Sequence, residues 1–441
     1  MSKLWETDTS QIKKDGKNAI EKKVEDFTVG NDYVLDNYLL PYDLKASDVH
    51  LTALKQASIL SAEEADKLQD GLERIYRLWK SGEFEIKPEH EDGHTAIELW
   101  LTEQLGDLGK KIHTGRSRND QVLTAVRLYE KDRLGITLKK TAKCAETILQ
   151  VAKKHESLPM PGYTHTRKAM LSTVGQWLAG FAELLIMQLE ASSGVISLTN
   201  RSPLGTAAGF GTTIPLDRDA EAEQLGFEQT LVCATAAQLS RGWVELQIVQ
   251  FLYGITSVLA RLSADIIQFS SEAYNFFEIA PEHCTGSSIM PNKKNPDVAE
   301  LIRGKHSLLA GYSARLQSVT TNLGSGYHRD LQLTKEPVIL SFETTSDILE
   351  MAGLLVDGLI FNKVSLAKAC SSDLLAAELA YKLVKEEGLS FREAYKKVKD
   401  QPENTSSISL EELFSEYSQL GSPGNPGIAR LIEQTARWTK S

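Results

Sequence analysis

Cysteine is scarce in this chain. Cys144, Cys233, Cys284 and Cys370 are the four in 441 residues, far apart and with no CxxC pair. That spacing excludes a disulfide framework or a structural zinc knot and fits a reducing cytoplasm. No uninterrupted apolar run approaches the ~18 residues that a membrane helix needs. The opening MSKLWETDTSQIKKDGKNAIEKK mixes both charge signs without an apolar core, so neither a signal peptide nor an anchor is expected. Cationic excess is missing too: the net charge is −10, which argues against a general nucleic-acid surface. Any anion site must then be built locally, from clustered cations and helix ends.

Proline is confined to short clusters, and long stretches lack it. Residues 216–280 hold none between Pro215 and Pro281. Only helices use such stretches well, and 235–280 as one helix would span about 69 Å. Apolar positions recur at spacings of three and four as Leu138, Ala142, Ala145, Leu149 and Ala152, and again as Val174, Leu178, Phe181 and Leu185. The pattern predicts helices over 46–60, 62–80, 95–105, 297–323 and 338–361, the last with an apolar band from Ile348 to Ile360. Alternating strand patterns are scarce, so the class is all-α. The length exceeds one hydrophobic core. Three helical domains are expected: 1–112, a central bundle of long helices over 113–363, and a small tail over 364–441, broken by Gly388, Pro402 and the loop at 421–427.

Chemistry concentrates in a few loops. GSSIMPNKKNPD at 286–297 places a glycine, two serines, two lysines and Asn295-Pro296-Asp297 between long helices. Such a loop can aim N–H groups and cations at an anion, although composition alone also allows a solvated turn. KIHTGRSRNDQV at 111–122 brings Arg116, Arg118 and Asn119 into a glycine-containing turn entering a helix, which reads as an anion cradle or as a basic capping turn. MPGYTH at 160–165 carries His165, which taken alone reads as structural or catalytic. His90-Glu91-Asp92-Gly93-His94 satisfies H-E-x-x-H, but Pro88 before it and Asp92-Gly93 within it forbid the continuous helix that zinc needs. No metal and no organic cofactor are expected.

These segments, with YHRDLQLTKE at 327–336 and the shorter DLKASDVH, EDGHTAIE, NRSPLG and SFREAY, stand in order from near residue 40 to beyond 395. The 286–297 loop resembles the signature loop of the fumarase/aspartase superfamily, and the other segments resemble its argininosuccinate lyase/delta-crystallin branch. The resemblance implies a helical fold of that type and elimination of fumarate from argininosuccinate, releasing arginine, in arginine biosynthesis. It implies Ser287 as the proton-abstracting serine, with Lys293 in the same pocket, His165 as the acid–base histidine and Glu300 as its carboxylate partner. Substrate contacts fall on Ser47, Arg118, Asn119, Thr164, Asn295, Tyr327, Gln332 and Lys335, with His94 and Arg116 as secondary candidates. A cytoplasmic homotetramer with composite sites is implied as well.

The chain departs from the branch pattern at Thr166-Arg167, Met170-Leu171, Ala207 (a glycine there), Ser240-Arg241-Gly242, His328-Arg329 and Asn292. Two alternatives stand beside this reading. One is another fumarate-releasing lyase, acting on adenylosuccinate, aspartate or a modified argininosuccinate. The other is a catalytically silent, crystallin-like structural protein.

Overall fold

A computed structural model of the protein describes residues 17–286, 288–400 and 410–439. The chain forms two compact units. The first takes the described residues up to Lys131 together with Thr199–Trp243 and Val319–Glu336, and the second takes Asp132–Leu198, Val244–Ser318 and the described residues from Pro337 on.

In the first unit the helices Asp32–Gln56, Ala62–Ser81 and Gly93–Leu105 close around Leu51, Leu54, Leu68, Ile75, Ile97 and Leu101. The Ala62–Ser81 helix starts at a capping box, in which Ser61 accepts the Glu64 N–H and Glu64 returns to the Ser61 N–H. It ends at Gly82, whose φ of 80° stops the helix without a Cβ penalty. The helix expected from residue 46 begins instead at Asp32 and runs through Pro41. Proline removes one helical donor and crowds the preceding turn. Burial of Leu35, Leu39, Leu40 and Leu44 on either side of it holds the helix continuous.

Nearly all of the helix Trp243–Ser270 lies in the second unit. Trp243–Ser270 buries Ile248, Leu252, Ile255, Leu259 and Ile266, a stripe at helical spacing. The single helix expected over 235–280 is broken. Ala234–Ser240 ends before Gly242, where φ is 78° and a Cβ would collide with the Thr320 methyl, and Phe277–Ile279 is a strand. The helix expected over 338–361 likewise spans Lys335–Asp357. Gly358 follows it, where a side chain would strike the His283 ring, and Leu359–Phe361 then leaves the helix to pair antiparallel with Phe277–Ile279.

The remaining described strands form three more two-stranded pairs, so the architecture is mostly helical. Pro402 lies outside the described residues. The stretches Val174–Thr199 and Trp243–Ser270 reach the length and mean apolarity of a membrane span. The expectation that none would do so counted uninterrupted runs, whereas these stretches average over internal polar residues such as Glu183, Gln188, Arg261 and Asp265.

Candidate active site

The 113–119 turn is fixed by the start of the helix Arg118–Lys154. Ser117 Oγ accepts the Asn119 N–H at 3.3 Å, and Asp120 Oδ1 reaches back to the Ser117 N–H at 2.9 Å. This is capping-box logic with aspartate in the third position. Asp120 Oδ2 also accepts the Ala207 N–H at 2.8 Å, so one carboxyl ties the turn to the 203–211 loop. Burial pushes that carboxyl up to about 6, against the pull of the Ser117 N–H and Arg116. Ala207, at the branch's glycine position, has a φ of 51°.

A cavity of about 480 Å³ opens beside the turn. Arg118 and Asn119 line it from the turn, and Tyr327, Gln332 and Lys335 line it from the 327–335 segment. Five of the eight expected substrate contacts therefore share one wall-to-wall space. Arg118 is aimed by Asp92 Oδ2 at 2.9 Å and Thr95 Oγ1 at 3.1 Å. Gln332 is anchored by donating to the Thr28 and Val29 carbonyls, at 3.1 and 3.0 Å. Lys335 Nζ sits 2.7 Å from Asp36 Oδ1 and 3.0 Å from Asp32 Oδ1. Burial opposes the Lys335 ammonium, but Asp36 and Asp32 outweigh it and hold its pKa above the ordinary lysine value. Burial raises the Asp32 carboxyl to about 6, with Asp36 adding to the rise and Lys335 opposing it.

Ser47 and Arg116 lie deeper. Arg116 Nη1 donates to Ser47 Oγ at 3.1 Å and Nη2 to the Ile112 carbonyl at 2.8 Å. His94 is buried in the first turn of its helix, with Nδ1 2.6 Å from Asp43 Oδ2. Burial works against its charged form, yet Asp43 raises its pKa above the usual histidine value, and the His94 charge lowers Asp43 in turn. The H-E-x-x-H pattern is dispersed: His90 closes a short 3-10 turn, Glu91 has a φ of 66°, and the helix begins only at Gly93. Among the described residues no cluster of three or more His, Cys, Asp and Glu is placed to hold a metal ion.

The second unit carries the remaining residues. Pro159–Thr164 and Arg167–Thr173 form an antiparallel hairpin whose two-residue turn is His165-Thr166. Both turn residues have positive φ, 51° and 58°, the geometry of a hairpin turn that usually employs asparagine and glycine. A β-branched threonine there is strained, and such strain concentrates at functional sites. Thr164 and His165 are exposed at the tip. In the 286–297 loop, Thr285–Gly286 pairs with Lys294–Asn295, and Asp297 Oδ2 accepts the Thr285 N–H and hydroxyl, stapling the base. Lys293 is exposed in that loop, Asn295 is half-buried at its base, and Glu300 is exposed in the first turn of the helix Asp297–Thr320. Among the described residues no ion pair joins His165 to Glu300. Ser287 lies outside the described residues.

Sequence reasoning missed Asp32, Asp92, Arg241 and Arg329, all of which line the first unit's cavity. The Arg241 guanidinium stands 5.3 Å from the Tyr327 ring centroid. Asp32 and Asp36, four apart on one helix and hence on one face, were the available signal. With cations and carboxylates both on its walls, the cavity suits a small molecule carrying several carboxylates and a cationic group.

Residues 19–311 match the protein family described as Lyase. The argininosuccinate lyase of Sorangium cellulosum is 40% identical over 426 residues, covering 95% of this chain and 98% of that one. That of Thermotoga neapolitana is 39% identical over 396 residues, covering 90% and 97%. Among solved structures, EDDS lyase in complex with formate superposes with a TM-score of 0.78 at 21% identity, over 94% of this chain and 90% of that one. Class II fumarase from Schistosoma mansoni does so with a TM-score of 0.73 at 16% identity, over 94% and 95%. These two likenesses concern the fold.

Proposed function

This chain belongs to the argininosuccinate lyase family and is a carbon–nitrogen lyase that splits argininosuccinate into fumarate and arginine, and we propose that Ser287 and His165 carry its proton transfers. Ser287, as an alkoxide supported by loop N–H groups and the Lys293 ammonium, takes the proton from the carbon next to a succinyl carboxylate. The resulting dianionic aci-carboxylate collapses, forming the double bond of fumarate as the C–N bond breaks. The departing guanidino nitrogen receives a proton, with His165, oriented by Glu300, as the acid–base partner. Arg118, Asn119, Tyr327, Gln332 and Lys335 hold the substrate, with Ser47, Thr164 and Asn295 completing the contacts. No metal and no organic cofactor take part.

The observation that carries this reading is the gathering of five expected contacts in one cavity of mixed charge. Ultraviolet detection of fumarate from purified protein and argininosuccinate tests it, with adenylosuccinate and aspartate as controls. Fumarate from a control substrate alone would reject the substrate assignment, and turnover of any of the three would dismiss a silent structural role.

The working form is a cytoplasmic homotetramer in which the 113–120, 160–165 and 286–297 loops come from three different subunits. The three-part division at 112 and 363 remains the organisation proposed for each subunit. The apolar band from Ile348 to Ile360 leaves little surface for assembly, because Ile348, Leu355 and Leu359 are buried within the chain, although Leu354 is exposed. Support comes instead from Leu301 and Leu308, exposed seven residues apart on one helix face, and from Leu184 and Met187 in a stretch whose most apolar window is 28% buried. A monomer by light scattering would reject assembly, and so would hybrids of His165 and Ser287 variants that recover no activity.

A further inference from the structure

We propose that His50 and Glu221 are positioning residues for the 113–119 turn, gripping the Thr114 carbonyl through a proton shared between them. The inference rests on the reading of that turn as the carrier of substrate contacts Arg118 and Asn119. Neither His50 nor Glu221 belongs to the residues assigned to catalysis or substrate.

His50 is fully buried in the helix Asp32–Gln56. Its Nε2 lies 2.9 Å from the Thr114 carbonyl oxygen and its Nδ1 lies 3.2 Å from Glu221 Oε1. A carbonyl only accepts, so Nε2 carries a hydrogen whenever the first contact is a hydrogen bond. Nδ1 then has two options. It is a lone pair facing a protonated Glu221, or a second N–H facing a carboxylate. Both arrangements hold the same protons and are neutral overall, so both keep the Thr114 bond.

The surroundings favour the uncharged form. Burial, with Arg116 and His113 facing from the turn, holds His50 well below the ordinary histidine value, against the Thr114 carbonyl. Burial likewise raises Glu221 to about 7, with Arg116 and Arg218 opposing and Asp217 reinforcing. Among the described residues Glu221 Oε2 has no hydrogen-bond partner. Gly205, with a φ of 75°, leaves it room, since a Cβ there would come within 3.2 Å of that oxygen.

Losing one proton breaks the device. With a carboxylate at Glu221 and a neutral imidazole, the ring's one N–H turns either to Glu221 or to Thr114. In the first case a lone pair faces the Thr114 oxygen. In the second a lone pair faces the carboxylate. The first case prevails, because an N–H donated to a buried carboxylate is stronger than one donated to a neutral carbonyl. The turn that presents Arg118 and Asn119 is therefore released as pH rises beyond about 7, and substrate binding weakens before turnover of bound substrate does.

Steady-state kinetics of the full-length enzyme with argininosuccinate from pH 6.5 to 9 test this. Wild-type KM should rise about three- to tenfold over that range, the worth of one hydrogen bond, with kcat changing less. Glu221→Gln donates an amide N–H to Nδ1 at every pH and should keep KM low and flat. His50→Leu should raise KM about three- to tenfold at pH 6.5. A flat wild-type KM, an alkaline rise retained in Glu221→Gln, or an unchanged KM in folded His50→Leu would each overturn the proposal. If His50→Leu fails to fold, nitrogen-15 spectra of labelled histidine decide. A protonated Nε2 at pH 6.5 supports the grip, and a bare Nε2 with N–H on Nδ1 refutes it. If Arg118→Ala leaves KM unchanged, the pocket reading fails instead, and the His50 spectrum still reports on the tether.

Discussion

Ala207 stands in a left-handed backbone conformation, φ 51°, and donates its N–H to the Asp120 carboxyl that also caps the 113–119 turn. For an L-residue with a Cβ that conformation costs about 1–2 kcal/mol. Replacing alanine by glycine removes the steric penalty but returns about 0.4–1 kcal/mol of freedom to the unfolded chain. Ala207→Gly should therefore stabilise the loop by about 0.5–1 kcal/mol. A chain of two units need not unfold in one step, so local amide hydrogen exchange is the better assay. Protection of the Gly209 and Gly211 amides, both bonded to the Thr206 carbonyl, should rise about two- to fivefold. Ala207→Val adds β-branching at the same φ and should move protection the other way. If glycine lowers protection while valine leaves it unchanged, the loop is not strained at residue 207 and the argument is wrong.

Three further outcomes are expected. Thr166→Gly relieves a β-branched residue at φ 58° in the hairpin turn and should raise the thermal midpoint, an increment of about 1 kcal/mol, while leaving His165 in place. Ser287→Ala and His165→Asn should each lower kcat about 10²- to 10⁴-fold without changing circular dichroism, and near-normal turnover in either would remove its role. The buried His94–Asp43 pair gives stability a defined pH window. His94 has a raised folded pKa, so its contribution is complete below about 6.5 and is lost as pH rises through the folded value. Asp43 is lowered, so its contribution is present above about 3.9 and is lost as pH falls through its folded value. His94→Leu, which strands the Asp43 carboxylate, should cost about 3 kcal/mol near neutrality by urea unfolding and flatten the alkaline decline.

The loops expected to carry chemistry stand out in the sequence because each gathers its polar and charged residues into one short segment, and such segments keep their composition whatever helices surround them. Capping at Ser117 and Asp120, the glycine stop at Gly388 and the interrupted helix at His90–His94 follow from local rules that need no tertiary partner. Helix extents were harder, because packing decides them. Pro41 looks like a boundary until the flanking leucines are seen to be buried, and Gly242 looks dispensable until Thr320 is seen against it.

The inward-facing ionic residues were hardest of all. Asp36 and Lys335 are 299 positions apart, and His50 and Glu221 are 171 apart. No periodicity joins them, and each looks like a surface charge when read alone. The energetic demand that links them appears only after folding. A buried charge without a partner is costly, so Asp36, Lys335, His50 and Glu221 each need an answering group, and here it comes from another segment. The answers place Lys335 on two aspartates and the Thr114 carbonyl on an imidazole, and the second of these grips the turn from which Arg118 and Asn119 extend. A site read from its motifs therefore names the groups proposed to meet the substrate, while the groups that fix the backbone of the 113–119 turn come from buried charges in other segments.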